Sequence, residues 1–263
     1  MGEAATPIRF RGGGFLPRTS RTTALLAFLG VIAIWQGASS TGWLSPIFLP
    51  SPLEIGVALR DLTLSGDLAR HLSISLYRIA LGWIVGTAAG LVVGVAMALF
   101  SLARSVGVPM VSALFPIPKI ALLPLLILWL GIGETSKVAT IALGVFFPTV
   151  IAAYSGIDGV PRNLIRMAQS FDVPFRDIVW KIALPGALPS ILSGARISVS
   201  TALLLVVSAE MIGAENGIGA FVLQAGNLMQ TDQLMAGVVV LSALGLLIGS
   251  GLSWLERTLL GWR

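Results

Sequence analysis

Apolar residues dominate the chain in six long runs, separated by short stretches that hold most of its charged residues and prolines. Each run is close to the ~20 residues that an α-helix needs to cross the hydrocarbon core of a bilayer. The pattern therefore predicts an all-α integral membrane protein with six transmembrane helices. The predicted spans cover residues 22–38, 74–101, 105–130, 135–157, 190–213 and 234–255.

The composition supports a membrane location and removes several classes of function. Charged residues make up 11% of the 263 residues, whereas soluble domains contain about 25%. The chain has no cysteine, which excludes thiol catalysis and cysteine-based metal sites. His71 is the only histidine. The net charge of +5 is not concentrated in a basic run outside the N-terminal tail, so it indicates membrane topology rather than nucleic-acid binding.

The distribution of charge predicts that both termini are cytoplasmic, because cytoplasmic loops carry an excess of Lys and Arg. We therefore expect a cytoplasmic tail over residues 1–21 and one six-helix domain over residues 22–263. The basic residues assigned to the cytoplasmic side are Arg9, Arg11, Arg18, Arg21, Arg104, Arg162, Arg166, Arg176, Lys181, Arg257 and Arg263. The acidic residues assigned to the outer side are Glu54, Asp61, Asp67, Glu215 and Asp232.

The first span resembles a signal peptide in length, but no clean small-x-small cleavage motif follows it. Trp35 and Trp43 suit interfacial anchors, so a retained helix is predicted. After it, Pro46, Pro50 and Pro52 interrupt an external segment over residues 44–71. Within that segment, residues 53–64 are predicted to form a short helix along the membrane interface.

Span two carries a stripe of small residues at every fourth position, which places them on one helix face. Such a stripe lets a second helix approach closely. The partner helix belongs either to the same chain or to a second copy across a dimer interface, and the first alternative is favoured. The stripe consists of Gly82, Gly86, Gly90 and Gly94, continued by Ala98.

Span three is predicted to be broken, because Pro109, Pro116, Pro118 and Pro124 fall within it. Freed backbone groups at membrane depth are tolerated where protein or a water-filled cavity satisfies them. One hypothesis is that residues 115–124, with Phe115, Pro118 and Lys119, line a translocation path. The alternative is that Lys119 extends to the outer interface. In the following external turn, 131–137, Glu134 and Lys137 are predicted to form a surface pair.

Charged residues inside the spans are few. Glu210 lies near the outer end of span five and Arg196 nearer its inner end. Glu210 is a candidate for the pathway or for a gating or structural role. The alternatives are that it is solvated at the outer surface or hydrogen-bonds to the backbone of residues 213–219. Proton-coupled carriers need polar relays in the bilayer, so this scarcity indicates that the energy for transport comes from elsewhere.

Residues 160–190 form a polar segment interrupted by prolines. Residues 163–171 are predicted to form a short helix with Ile165, Ala168 and Phe171 on its apolar side. Asp172 suits the helix end, because Asp tolerates left-handed backbone geometry. Pro174 suits the start of a second helix over residues 175–183, which the Leu-Pro pairs at 184–185 and 188–189 are expected to terminate. Such a unit fits a groove in a partner protein or lies on lipid headgroups.

Residues 166–189 resemble the cytoplasmic loop of bacterial ABC importer permeases, whose pattern begins Glu-Ala-Ala, has a central Gly and ends in Leu-Pro. Ala168 matches the second alanine, whereas Arg166, Met167 and Asp172 replace the glutamate, the first alanine and the glycine. Segments 48–52, 71–78, 131–137, 209–210 and 217–219 extend the resemblance to the nitrate, sulfonate, taurine and bicarbonate permease group, over roughly residues 22–260.

The resemblance implies a type I importer permease in the bacterial inner membrane, with two permease copies, two cytoplasmic ATPase subunits and an external solute-binding protein. It implies that the ATPases carry ATP and Mg²⁺, and that this chain binds no cofactor and is not an enzyme. The chain also lacks a phosphate-binding loop of the Gly-x-x-x-x-Gly-Lys-Ser/Thr type. The implied ATPase-contacting residues are Arg166, Met167, Ala168, Gln169, Ser170, Phe171, Asp172, Val173, Pro174 and Phe175.

The substrate implied by the resemblance is a small anion, either an organosulfonate such as taurine or an oxyanion such as nitrate or bicarbonate. A heterocyclic or aromatic compound is the alternative within the same family. From another class, a stand-alone secondary carrier or channel would work without any ATPase. A membrane-embedded enzyme would need acidic, histidine or serine residues converging at one depth, and the sequence shows no such cluster.

Overall fold

The computed structural model describes residues 21–259, and within this range the secondary structure is entirely helical. The expected cytoplasmic tail lies outside the described residues, apart from the start of the first helix. The α-helices are α1 (Arg21–Ser40), α2 (Pro52–Ser65), α3 (Asp67–Leu99), α4 (Ser101–Leu114), α5 (Leu123–Leu130), α6 (Glu134–Asp158), α7 (Arg162–Ser170), α8 (Phe175–Ile178), α9 (Leu184–Gly213), α10 (Ile218–Asn227) and α11 (Thr231–Leu259). A 3₁₀ turn (Lys119–Leu122) precedes α5, and a π turn (Val179–Ala183) joins α8 to α9.

Five of these helical segments are long and apolar enough to cross a membrane, and a sixth span is obtained if the bent pair α4 and α5 is counted as one. The prediction of six spans is confirmed in this sense. The bent pair turns by 91° between Leu114 and Lys119, where span three was expected to break. The second span is longer than predicted, because α3 begins at Asp67, within the segment that was assigned to the external connection.

Helix α6 lies at the centre of the bundle, between α3 and α9. The glycine stripe of α3 faces α6 of the same chain. A Cβ atom at Gly82 would lie 2.7 Å from Ile141 Cβ, and one at Gly90 would lie 2.8 Å from both Phe146 O and Thr149 Cβ. Gly86 and Gly94 contact α6 in the same way. The two helix backbones therefore approach more closely than they could if these positions carried side chains.

An apolar cluster contributed by four helices surrounds this contact. It combines two residues from each of α6 and α9 with one each from α3 and α11. In a bilayer the hydrophobic effect does not favour apolar packing over lipid contact, so this close packing acts through van der Waals contact. The buried members are Ile79, Ile141, Val145, Ala202, Val206 and Leu244.

Helix α2 packs beside α11, where Ile55 and Ala58 are buried against Ala236. A capping box begins this helix: Ser51 Oγ accepts from Glu54 N at 3.2 Å, and Ser51 N donates to Glu54 Oε2 at 2.7 Å. These two hydrogen bonds satisfy backbone donors that would otherwise lack a partner. They lower the pKa of the Glu54 carboxyl, because both the backbone N–H and the hydroxyl of Ser51 favour its charged form.

The expected termination of the helix at the Leu-Pro pairs is wrong. The segment Phe175–Gly213 is helical throughout, and Pro185 and Pro189 both lie within α9. The π turn explains how the first proline is accommodated, because Leu184 N donates to Val179 O, five residues back. This hydrogen bond spans five residues instead of four, so the hydrogen-bonding register shifts just before Pro185, which lacks an N–H.

The two ends of the helix bundle hold different short helices and loops. Helices α3, α6 and α11 end, and α9 begins, at the end that also holds α7 and α8; we call it the α7 end. There the carboxylate of Asp158 pairs with Arg104, and Glu256 Oε2 lies 2.6 Å from Arg196 Nη2. The opposite end, which we call the α10 end, holds α2, α10 and the loop 214–217.

Candidate functional site

At the α7 end, a compact helix–turn–helix connects α6 to α9. Helix α7 ends with Asp172 in the left-handed conformation, with φ of 53°. Val173 N donates to Ala168 O at 3.1 Å, and Asp172 N donates to Gln169 O at 3.0 Å. These two hydrogen bonds define a Schellman motif. Asp172 therefore occupies the position where glycine is most common, as the sequence predicted.

Pro174 then starts α8 with a backbone fixed for the first turn. Its carbonyl accepts from Asp177 N at 2.9 Å and from Ile178 N at 3.1 Å. Asp177 Oδ2 also pairs with Lys181 Nζ at 2.8 Å, one turn later. The turn between α7 and α8 is therefore held by local hydrogen bonds and continues into α9 through the π turn.

The helix–turn–helix exposes large apolar side chains at the water-facing end of a membrane bundle. Phe171 is 76% exposed and Phe175 is 60% exposed. Leu164 and Met167 are also exposed on α7. An exposed apolar patch of this kind is typical of a surface that contacts a partner protein or lipid headgroups. We call Leu164, Met167, Phe171 and Phe175 the coupling patch.

The coupling patch differs from the apolar side that the sequence predicted. Ala168 is 5% exposed and faces the interior of the protein, and Ile165 is half-buried. Of the predicted trio only Phe171 lies on the exposed surface. The other implied contact residues in 166–175 are exposed, except Val173, which is half-buried.

At the α10 end, a buried ionic cluster joins α3, α6 and α9. Arg78 Nε and Nη2 donate to the two oxygens of Glu134, each at 2.6 Å. Its Nη1 donates to Glu210 Oε1 and to Asn216 O, both at 2.7 Å. The Arg78 side chain is 2% exposed and that of Glu210 is 0% exposed. Bidentate and charge-assisted hydrogen bonds of this kind are the strong ones.

The same cluster holds the start of α10. Gly217 N donates to His71 Nδ1 at 3.1 Å, and Ile218 N donates to Ser75 Oγ at 2.9 Å. Gly219 N donates to Glu210 Oε2 at 2.8 Å, and Ser75 Oγ donates to the same carboxylate at 2.8 and 3.0 Å. Three successive backbone donors of a helix N-terminus are thus satisfied by side chains. His71 Nδ1 must be unprotonated to accept, and its ring lies 5.4 Å from that of Phe221.

Two sequence predictions fail at this cluster. Glu134 does not pair with Lys137 at the surface: Glu134 binds Arg78, and Lys137 is buried, with its Nζ donating to Gly133 O at 3.0 Å. The alternative that Glu210 is solvated is also wrong, because its carboxylate is buried and accepts four hydrogen bonds. The other alternative, a hydrogen bond between Glu210 and the backbone of residues 213–219, is confirmed at Gly219 N. The structure gives Glu210 a structural role at this cluster, and its role in the pathway stays a prediction.

Arg78 is the residue that sequence reasoning missed as the partner of Glu210. The signal was present, because His71, Ser75 and Arg78 follow one another at i, i+4 and i+7 along the helix. That spacing places three polar side chains on one face. Their common partner, the Glu210 carboxylate, lies 132 residues away from Arg78 in the chain, so no local pattern connects the two.

The break in span three is held by Lys119. Its Nζ donates to Leu114 O, Phe115 O and Ile117 O at 2.8, 2.9 and 2.7 Å. These carbonyls belong to the last residue of α4 and to the turn that follows it, where few backbone donors are available. The ammonium also lies 4.4 Å from the ring centroid of Phe147. Within the described residues Lys119 has no carboxylate partner, and Pro118 immediately precedes the 3₁₀ turn.

The comparison with protein families matches residues 68–260 to the family described as the binding-protein-dependent transport system inner membrane component. A Bacillus subtilis (strain 168) permease protein named for aliphatic sulfonates transport, SsuC, is 40% identical over 89% of this chain and 84% of its own length. The taurine transport system permease protein TauC of Escherichia coli (strain K12) is 36% identical over 94% of this chain and 92% of its own.

Among solved structures, a chain of the MetNI methionine ABC transporter, in inward-facing conformations, has a TM-score of 0.65 and 24% identity. The match covers 73% of this chain and 95% of that one. At this identity the likeness shows the fold alone. It confirms the helical architecture that the resemblance implied.

The chain therefore belongs to the family of inner membrane components of binding-protein-dependent transport systems. It is a multi-pass membrane protein and the permease subunit of an ABC importer, a component that does not itself hydrolyse ATP.

Proposed function

We propose that this chain forms the translocation path of an ATP-driven importer for an aliphatic sulfonate such as taurine. The observation that carries the substrate class is the similarity over about nine-tenths of the chain to two permeases named for aliphatic sulfonates and for taurine. A sulfonate is a small anion, which agrees with the class inferred from the sequence.

The proposal includes a dimer of this chain with an ATPase subunit on each coupling patch. Phe171 and Phe175 support it, because rigid aromatic side chains exposed on a structured turn are typical anchors for a groove in a partner. The Schellman motif at Asp172 fixes the angle between α7 and α8, so movement of the ATPase reaches α9 without being absorbed in a loop. ATP and Mg²⁺ belong to that partner, and a solute-binding protein delivers the substrate at the α10 end.

The α7 end is assigned to the cytoplasm, which places both termini there and the protein in the bacterial inner membrane. The charge distribution supports this orientation. The α10 end carries the acidic residues Glu54, Asp61, Asp67, Glu215 and Asp232, together with Arg60 and Arg70. The α7 end carries the larger basic group, Arg104, Arg162, Arg166, Arg176, Lys181 and Arg257.

The test is purification of the tagged chain from its own host in a mild detergent, followed by mass spectrometry of the proteins that copurify. We expect a soluble ATPase with a phosphate-binding loop. The complex is then reconstituted in liposomes with its binding protein, and uptake of radiolabelled taurine, butanesulfonate and nitrate is measured with and without ATP.

ATP-dependent uptake of a sulfonate, with nitrate not transported, supports the proposal. ATP-dependent uptake of nitrate, or of neither sulfonate, overturns the substrate class but leaves the importer. A chain that purifies alone and moves solute without ATP overturns the ATPase partnership and favours a secondary carrier.

A further inference from the structure

A groove of about 520 Å³ opens between α6 and α9, with the end of α4 on its third side. Ile151 and Ser155 of α6 face Ser193 and Ile197 of α9 across it, and Phe115 lies at the end of α4. Gly194 lets the two helices approach at the base of the groove, where a Cβ would collide with that of Ala152. The groove lies towards the α7 end and is separate from the buried Glu210 cluster.

Two prolines in helix interiors line the groove, one on each side. Pro148 interrupts α6 and Pro189 interrupts α9. Each leaves the carbonyl four residues earlier without its helical donor. At membrane depth such groups are tolerated where protein or water satisfies them. Two interior prolines on facing walls of one groove therefore favour water there rather than lipid.

Serine hydroxyls on α9 are available in the groove. Ser190 and Ser193 both line it and are exposed, and neither makes a side-chain hydrogen bond within the described part of the chain. Other exposed serines of α9 differ in this respect: Ser200 Oγ donates to Arg196 O at 3.1 Å, one turn back. A hydroxyl that is not committed to its own helix can donate to a bound solute.

The charge beside the groove is positive. Phe115 lines the groove, and its carbonyl lies 2.9 Å from Lys119 Nζ. The three donors of that ammonium are used by carbonyls, so Lys119 contributes its charge rather than a free N–H. No acidic residue is among the residues that line the groove.

We infer that this groove is the part of the path that holds the solute, with Ser190 and Ser193 donating to the sulfonate oxygens. The alkyl part of the solute lies against Ile151 and Ile197, and Lys119 balances the anion from beside Phe115. This inference rests on the proposed function for the identity of the solute. It moves the solute contacts away from Glu210 to a serine pair on α9.

The absence of cysteine allows a direct test by single-cysteine labelling. Ser193→Cys is compared with Ser242→Cys, an exposed serine of α11 outside the groove whose Oγ donates to Val238 O of its own helix. Membranes fragmented to expose both faces are treated with 2-sulfonatoethyl methanethiosulfonate, whose transferred group carries a sulfonate. A lipid-facing site excludes such an anion, so we expect Ser193→Cys to react on the order of a hundredfold faster than Ser242→Cys.

Taurine with ATP and the binding protein should slow labelling at position 193. Ser193→Cys should itself lower sulfonate uptake, because it replaces a donor hydroxyl, and labelling should lower that uptake further, whereas the Ser242→Cys complex should be unaffected by labelling. Equal labelling rates, or full labelling with uptake retained, would overturn the assignment of the groove. A disulfide between two copies of Ser193→Cys that excludes the reagent would also overturn it, because a second chain would then fill the groove. Sulfonate uptake by the complex of the original, cysteine-free chain separately tests the proposed substrate class.

Discussion

Arg78 and Glu210 form an ion pair of 2.7 Å in which both side chains are buried from solvent. The pair connects α3 to α9, and Glu134 extends it to α6. Burying charges is unfavourable unless each is fully paired and hydrogen-bonded, and here every oxygen of Glu210 has at least two donors. The three central helices are therefore tied together at the α10 end by one guanidinium.

Replacing Arg78 by Met should destabilise the protein by about 3–5 kcal/mol, because Glu210 is left buried without its cation. Glu210→Met should have a similar effect. The double variant should cost less than the sum of the two, since it leaves neither charge unpaired. Thermal unfolding of the purified complex, followed by intrinsic fluorescence, measures these differences.

Glu134→Gln is the control for this series, because the Glu134 side chain is 53% exposed. We expect it to cost about 1 kcal/mol or less. Strictly additive effects of Arg78→Met and Glu210→Met would show that the two side chains do not interact as the geometry indicates.

Gly90→Ala should destabilise the contact between α3 and α6. The new Cβ would lie 2.8 Å from Phe146 O and from Thr149 Cβ, and overpacking of this kind costs about 1–3 kcal/mol. The matched control is Gly249→Ala on α11, where no atom lies within 4 Å of the added carbon. Size-exclusion profiles and melting temperatures of the two variants should separate clearly; equal profiles would place the stripe outside the helix contact.

Asp172→Gly should preserve the turn between α7 and α8 and retain uptake. The φ of Asp172 is 53°, and glycine adopts such a positive φ without steric strain. Asp172→Val should cost about 1–2 kcal/mol locally and reduce the stimulation of ATP hydrolysis by the loaded binding protein. Uptake and stimulated ATPase rates of the reconstituted variants test this. A fully active Asp172→Val complex would show that the turn geometry does not matter for coupling.

Phe171→Glu should abolish transport if Phe171 anchors the proposed contact with the ATPase. The side chain is exposed, so folding is retained, but a carboxylate in an apolar groove of the partner loses the contact. We expect uptake to be lost while the variant still reaches the membrane, and Phe171→Leu to keep most of the activity. Retained uptake in Phe171→Glu would contradict the assignment of the coupling patch.

Acid should weaken the start of α2. The pKa of Glu54 is lowered from its ordinary value of 4.5, because Ser51 donates to its charged form. A lowered folded pKa means that this stabilisation is present above 4.5 and is lost as the pH falls through the folded value. Glu54→Gln should therefore flatten the dependence of melting temperature on pH below 5. An unchanged dependence would show that the cap does not contribute.

The sequence was sufficient for the spans, the glycine stripe and the helix–turn–helix, because each depends on local periodicity or on the backbone preferences of single residues such as Pro174 and Asp172. It failed at Glu134 and Lys137, because their spacing suggested a local pair while a long-range partner, Arg78, competed for Glu134. It failed also at Pro185, because a π turn is a property of the hydrogen-bonding register that residue types do not display. Exposure of the coupling patch depends on how α7 is rotated about its axis, which the apolar spacing alone assigned incorrectly.

Because the segment Phe175–Gly213 is continuously helical, a displacement of one of its ends can be transmitted to the other. These 39 residues form a single rod with a length of about 58 Å. One end is the coupling patch, the proposed ATPase contact, and the other carries the Glu210 carboxylate that joins α3 and α9 at the α10 end. A tilt of about 10° around the middle of such a rod moves each tip by about 5 Å in opposite directions. In the proposed importer, a displacement of the coupling patch would therefore move the α10 end of this helix in the opposite direction, and the serine pair would move with the half that the ATPase displaces.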